Sequence, residues 1–155
     1  MVSMMFGSWE VSRMLLDAGA DPTARDCTGC DALMLAASSG RAASVAAWLA
    51  RFPGWRLRRS DYLGRTALHF AVGFGSGKMA VTKVLLEAGA DAWARARSGT
   101  TPLHSACSNA SADAAVVTAL LNWPGAPGAA SWSKCRRLGC AMARHHGLTR
   151  RHPKA

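Results

Sequence analysis

The sequence repeats itself at an interval of 35 residues. Residues 31–36, 66–71 and 101–106 share one pattern, in which a helix-capping side chain stands two residues before a leucine and five before an alanine. Two series of glycines hold the same interval: Gly29, Gly64 and Gly99, and Gly19, Gly54 and Gly89. A fixed period of this length predicts a stacked array of repeats, in which each unit buries its apolar face against its neighbours.

The best preserved copy is residues 99–106, which read Gly-Thr-Thr-Pro-Leu-His-Ser-Ala. Residues 15–21 and 85–91 both read Leu-Leu, one acidic residue and then Ala-Gly-Ala-Asp. At these residues the chain resembles the ankyrin repeat family, over roughly residues 7–121. The resemblance implies an all-α, ankyrin-repeat solenoid of stacked helix-turn-helix units with short β-hairpin finger loops. It also implies that the motif threonine and histidine hydrogen-bond between neighbouring repeats.

The 35-residue register divides the chain into five segments. They are a partial N-terminal repeat at 1–25, repeats at 26–60, 61–95 and 96–127, and either a degenerate terminal repeat or a disordered basic tail at 128–155. Threonine caps a helix, proline suits the first helical position, and glycine ends a helix in the left-handed region without a Cβ clash. The residues with such motif roles are Thr66, His69, Thr101, Pro102, His104, Gly19 and Gly89.

The N-terminal repeat contains an apolar helical segment without an evident partner. Five apolar residues lie largely on one helical face, which predicts a buried second helix: Trp9, Val11, Met14, Leu15 and Leu16. The first helix of this unit is missing or reduced to residues 1–6. Because repeat arrays need capping units, we expect either that the chain is a fragment or that this end docks on another surface.

The net charge of +10 is unevenly distributed. Residues 1–133 hold 12 Lys and Arg and all 9 acids, whereas residues 134–155 hold 7 Lys and Arg and no acid. A cationic end can neutralise phosphates or serve as a nuclear-import signal. Its charges are spread thinly, and only Trp132 offers an aromatic ring for base stacking. We therefore prefer a solubilising or weakly anion-binding end, with anion or nucleic-acid binding through this tail as the alternative function.

Composition also indicates a compartment. The first residues lack a basic start and soon meet Glu10, so no secretory signal is visible, and five cysteines in such a chain favour reduced thiols. The most apolar window, residues 32–50, is interrupted at residues 38–41 and predicts two short helices instead of a membrane span. We expect an intracellular protein, cytoplasmic or nuclear, that does not engage a membrane.

Two histidines recur at the motif position, and they invite a catalytic interpretation. Cys107 lies three residues after His104 on one helical face, but a Cys–His nucleophile needs an orienting third group and an oxyanion site. Neither is suggested nearby. We interpret His69 and His104 as structural, and we expect no enzyme activity, no cofactor and no small-molecule substrate.

Cysteine spacing also resembles that of metal sites. Cys27 and Cys30 have ligand-like spacing, and Cys135 and Cys140 with two adjacent histidines could supply partners. The two groups lie about three repeats apart, and stacked helices are separated by about 8–10 Å each, so they cannot share one ion. We expect no metal site.

The finger loops carry the residues that best fit a binding role. Repeat arrays present extended concave surfaces to partners, and exposed tryptophan and arginine are enriched at binding hot spots. We expect Trp93 to project from the hairpin tip between two units, and the neighbouring first-helix residues to line the same groove. The predicted partner-binding residues are Thr23, Arg25, Arg56, Arg58, Arg59, Phe74, Trp93, Arg95, Arg97 and Asn109.

The predicted function is therefore a non-catalytic protein–protein interaction module. The fingers are basic, and complementary charges steer association, so we expect a protein partner with an acidic surface. Fold-level resemblance says little about which partner or process is involved.

Overall fold

The computed structural model describes residues 8–73, 77–108 and 114–123. Within those residues the chain forms seven helices: α1 (Trp9–Asp17), α2 (Ala32–Ser38), α3 (Ala42–Arg51), α4 (Ala67–Gly73), α5 (Lys78–Glu87), α6 (Pro102–Ser108) and α7 (Ala114–Leu121). The same residues contain no strand, and one isolated antiparallel bridge joins Ser60 to Thr66. The all-α repeat fold is confirmed, whereas the expected short β-hairpins are not seen in this part of the chain.

The helices form hairpins that stack side by side. The pairs α2/α3, α4/α5 and α6/α7 each form one hairpin, and α2, α4 and α6 pack against one another in a row. A second row contains α1, α3, α5 and α7 in order. Each helix from α2 to α7 therefore contacts its hairpin partner and the equivalent helix of an adjacent unit, as the 35-residue period predicts.

The core repeats with the sequence. Leucines and alanines that are 35 residues apart are almost fully buried: Leu33, Leu68 and Leu103, and Ala36, Ala71 and Ala106. Leucine fills the space between the two rows, and alanine allows neighbouring first helices to approach closely. Equivalent burial at equivalent positions is what a stack of similar units requires.

Glycine follows the ends of α1 and α5 as expected. Gly19 and Gly89 both have φ of 89°, in the left-handed region that residues with a Cβ avoid. At the end of α1 the Gly19 N–H donates to the Leu16 carbonyl, and the Ala20 N–H donates to the Leu15 carbonyl. The same two bonds follow α5, so both helices end in a Schellman motif.

The apolar face of α1 is partly exposed, as expected for a helix whose partner is missing. Val11, Met14 and Leu15 are 46%, 66% and 47% exposed, and Ser12 is the buried residue of this helix. Val81 and Leu85 stand at the equivalent positions of α5 and are fully buried, because α4 covers that side of α5. Among the described residues no first helix lies against α1. The exposure of these three side chains agrees with the expectation that the apolar face of this helix lacks a partner.

Several expectations fall outside the described residues. They concern the lengthened turns at 74–76 and 109–113 and the whole segment 124–155, including the basic tail. Among the helices that the structure describes, none is both long and apolar enough to cross a bilayer.

Candidate functional site

Three finger loops of identical construction line one edge of the stack, at residues 26–30, 61–65 and 96–100. In each loop the first N–H donates to the carbonyl of the fifth residue, at 3.0, 3.0 and 2.9 Å. A glycine with positive φ occupies the fourth position: Gly29, Gly64 and Gly99. Its N–H donates back to the first carbonyl, so each finger is a closed turn.

Each finger turn is joined to the next by one backbone hydrogen bond. The Tyr62 N–H donates to the Thr28 carbonyl at 3.1 Å, and the Arg97 N–H donates to the Leu63 carbonyl at 2.8 Å. The contact is close, because a Cβ on Gly64 would lie 2.8 Å from the Arg97 nitrogen. The backbone turns that carry the finger-tip side chains are thus held in a fixed row.

Aspartates brace the first two fingers. Asp26 Oδ1 accepts the N–H groups of Thr28 and Cys30, both at 2.8 Å. Burial opposes ionisation of Asp26, but these bonds outweigh it and lower its pKa below the ordinary value. Asp61 Oδ1 accepts two N–H groups in the same way, at 3.0 and 2.7 Å. Ala96 occupies the corresponding position of the third finger, which relies on its backbone bonds.

The motif threonine and histidine form a latch within each unit. The Thr66 N–H donates to His69 Nδ1 at 3.1 Å, and the Thr66 hydroxyl lies 3.0 Å from the same nitrogen. Because Nδ1 accepts, Nε2 carries the proton, and it donates to the Thr100 carbonyl of the next unit at 3.2 Å. The threonine–histidine bond is therefore inside one repeat, and the bond between repeats runs from histidine to a carbonyl. This corrects the arrangement that we expected.

His104 repeats the first half of that latch. Thr101 donates its N–H to His104 Nδ1 at 3.2 Å, and its hydroxyl lies 2.8 Å from that nitrogen. His104 Nε2 is buried and has no hydrogen-bond partner in the described part of the chain. Desolvation lowers the pKa of both His69 and His104 below the ordinary value of 6.5, which keeps them neutral. Pro102 begins α6 as predicted.

The unit at 26–60 uses a different latch, because it has Met34 where the others have histidine. Asp31 Oδ1 caps α2 by accepting the Met34 N–H at 3.0 Å. Its Oδ2 accepts from Arg59 Nε at 3.1 Å, and Arg59 Nη2 donates to the Thr23 carbonyl at 3.0 Å. Arg59 therefore ties the segment after α3 to two preceding segments.

The predicted binding residues divide into two groups. Arg25 and Arg59 hold the stack together, since Arg25 Nη1 donates to the carbonyls of Gly29 and Ser60 at 3.3 and 2.8 Å. Four other arginines are exposed and make no ion pair or hydrogen bond through their guanidinium groups within the described residues: Arg56, Arg58, Arg95 and Arg97. Thr23 is exposed, and its hydroxyl donates to Asp21 at 2.7 Å. Phe74 and Asn109 lie outside the described residues.

Trp93 does not project as expected. Its ring is half-buried against the core, its backbone N–H donates to Asp91 Oδ1 at 2.9 Å, and its Nε1 is buried without a partner among the described residues. The prediction of an exposed tryptophan was wrong.

Sequence reasoning missed a cavity beside the second finger. It has a volume of about 570 Å³, and its lining residues are Pro22, Thr23, Arg51, Phe52, Pro53, Gly54, Trp55, Arg56 and Arg59. Trp48, fully buried in α3, contacts Phe52 and Trp55 with ring centroids 4.9 and 5.1 Å away. The signal was present as a two-residue insertion with aromatic side chains, but a pattern of repeats does not reveal what an insertion encloses.

The cysteines of the described residues are free thiols. Cys27 is exposed, Cys30 is buried and Cys107 is intermediate. Burial raises the pKa of the Cys30 thiol, which makes it a poor nucleophile and ligand. No group of three or more His, Cys, Asp or Glu side chains suited to a metal ion occurs within residues 8–73, 77–108 and 114–123. Cys135 and Cys140 lie outside these ranges.

Comparison with known proteins places the repeats in a wider context. A family profile described as ankyrin repeats (3 copies) matches residues 1–96 and 33–130. A search of curated proteins found no match.

Proposed function

The chain belongs to the ankyrin repeat family, and from this premise we propose that it is a non-catalytic module that binds an acidic protein surface through its finger edge. Ankyrin repeats are generally protein–protein interaction modules, which supports the coarse function. The finger edge is supported by one observation above all. Four arginines at or beside the finger turns are exposed and unpaired among the described residues: Arg56, Arg58, Arg95 and Arg97.

The contrast between paired and unpaired arginines carries this proposal. An arginine that is tied to a carbonyl or carboxylate of its own chain has fewer donors left for a partner, and its position is fixed by the fold. An unpaired guanidinium offers five donors in a planar fork, which matches a carboxylate in a bidentate arrangement. A row of such groups on a rigid edge suits a partner with several acidic side chains, and the groove of the first-helix face would receive the rest of that partner.

We propose no catalytic activity because of the hydrogen bonds that the two motif histidines make. Both motif histidines accept the N–H of their threonine through Nδ1, so that nitrogen is occupied within the fold. Reduced thiols and an intracellular location, cytoplasmic or nuclear, remain part of the same proposal.

The proposal is tested with two variants of equal charge change. Partners captured by the wild-type protein are identified, and their affinity is measured for Arg95→Gln/Arg97→Gln and for Arg13→Gln/Lys83→Gln, whose residues lie on α1 and α5. We expect the affinity of Arg95→Gln/Arg97→Gln for the partner to fall by about fivefold to tenfold at low salt, and by less at high salt. The α1/α5 variant should stay within about twofold of wild type. Equal losses in the two variants would contradict a specific finger edge.

The tail provides the alternative, because residues 134–155 hold seven Lys and Arg and no acid. Deleting these residues separates the two functions. Binding through the fingers predicts that partner affinity survives the deletion, whereas anion or nucleic-acid binding through the tail predicts that it is lost.

A further inference from the structure

One wall of the cavity beside the second finger consists of aromatic side chains that pack against one another. Trp55 packs edge-on against Trp48 at an interplanar angle of 86°, and its ring lies 5.7 Å from Phe52. Arg59 stacks over Trp55 at 5.3 Å from the ring centroid. These contacts hold the wall in place before any ligand arrives, which reduces the entropy that binding must overcome.

This cavity is peculiar to one unit of the array. The corresponding turns at residues 19–21 and 89–91 read Gly-Ala-Asp, which provides no large side chain. In the unit at 26–60, residues 52–55 stand in place of that turn and bring two aromatic rings. Pro22 and Thr23 of the preceding unit close the other side. A site of this kind distinguishes one position along an otherwise repetitive edge.

The charge around the cavity is mixed, because exposed Asp17 pairs with Arg51 and exposed Asp21 interacts electrostatically with Arg59. Three arginines line the cavity, and they differ in how much of their hydrogen-bonding capacity is used. Arg51 pairs with Asp17 at 3.0 Å, where both side chains are about half exposed. Arg59 uses Nε and Nη2 within the protein, which leaves Nη1 without a partner among the described residues. Arg56 is exposed and has no ion-pair or hydrogen-bond partner there. Asp31, the acid paired with Arg59, is only 1% exposed and offers little repulsion at the surface.

We propose that this cavity binds an acidic segment of a partner protein, with a carboxylate held by Arg56 and Arg59 and an adjacent apolar side chain placed against Trp55. A volume of about 570 Å³ is within the range of small-ligand pockets, and it suits a short peptide segment. Carboxylate satisfies the unpaired guanidinium donors, and an apolar side chain covers the aromatic wall. The inference rests on the proposed function, because it names one contact of the same finger edge.

The test uses two peptides that differ only in charge. Acetyl-Glu-Phe-Glu-amide and acetyl-Gln-Phe-Gln-amide are titrated into the full chain, and the Trp55 indole N–H resonance is followed by NMR. We expect saturable shifts with the acidic peptide and affinity weaker by about tenfold or more with the amide peptide, because hydrogen bonds to charged groups are the stronger ones.

Two neighbouring arginines supply the matched control. Arg56 lines the cavity and Arg58 does not, although both are exposed and unpaired among the described residues. Arg56→Gln should weaken the affinity for the acidic peptide by about tenfold. Arg58→Gln should leave that affinity within about twofold of wild type. Both variants keep the fold, since neither guanidinium makes a contact that holds a neighbour in the described structure.

Three results would overturn the inference. Equal losses for Arg56→Gln and Arg58→Gln would indicate diffuse charge, and an equal Trp55 shift with inorganic phosphate would indicate a simple anion site. The third result is no Trp55 shift at all. In each case the partner-affinity comparison with Arg95→Gln/Arg97→Gln still decides the proposed function independently, because those residues do not line the cavity.

Discussion

At the scale of single residues, glycine sets how closely the finger turns approach one another. Gly64 and Gly99 have φ of 77° and 79°, but a Cβ on Gly64 would meet the Arg97 nitrogen at 2.8 Å, whereas a Cβ on Gly99 would meet nothing within 4 Å. Gly64→Ala should therefore cost about 2–4 kcal/mol of unfolding free energy, and Gly99→Ala only about 1–2 kcal/mol from backbone strain. Urea denaturation of the two variants checks the difference. Equal losses of unfolding free energy in the two variants would show that the close contact between the fingers does not contribute to stability.

At the scale of helices, the histidine latch couples the start of one first helix to the loop before the next. His69 bonds within its unit and across to Thr100, while His104 bonds within its unit only, among the described residues. We expect His69→Ala to cost about 2–4 kcal/mol and His104→Ala about 1–2 kcal/mol, measured by chemical denaturation. The reverse order would contradict a bond between units.

The same latch predicts a pH dependence. The folded-state pKa of His69 is below the ordinary value of 6.5, because burial disfavours the imidazolium more than the Thr100 carbonyl favours it. The unfolded chain therefore binds more protons than the folded one below about pH 6.5, and stability falls as pH falls through that value towards the lower folded pKa. As the pH is lowered from 7.5 to 5, the denaturation midpoint should decrease. The decrease should be less steep in His69→Ala than in wild type. Identical slopes would remove His69 as the cause.

At the scale of the whole molecule, the period of the sequence was sufficient to predict the stack. Leu33, Leu68 and Leu103 recur in register, and only a stack of similar units buries all three in the same way. Capping and helix-ending residues act within one or two turns of helix, so Pro102 and Gly89 were also predictable.

The division of the arginines could not be predicted in the same way. Arg58 and Arg59 are adjacent and chemically identical, yet Arg59 bonds to Asp31 and to the Thr23 carbonyl, 28 and 36 residues away. Such partners depend on the three-dimensional placement of neighbouring units, which a repeat pattern does not specify. Burial of Trp93 and the cavity around Trp55 depend on packing in the same manner.

The central claim is that some arginines hold the array while others remain free for a partner, and thermal unfolding tests it most directly. Arg25→Gln/Arg59→Gln and Arg95→Gln/Arg97→Gln remove the same charge. The first variant loses bonds to Gly29, Ser60, Asp31 and Thr23, so we predict a loss of roughly 2 kcal/mol and a Tm lower by about 4–8 °C. The second should keep its Tm within about 2 °C of wild type. Equal decreases in Tm, or a larger decrease for Arg95→Gln/Arg97→Gln, would contradict the account.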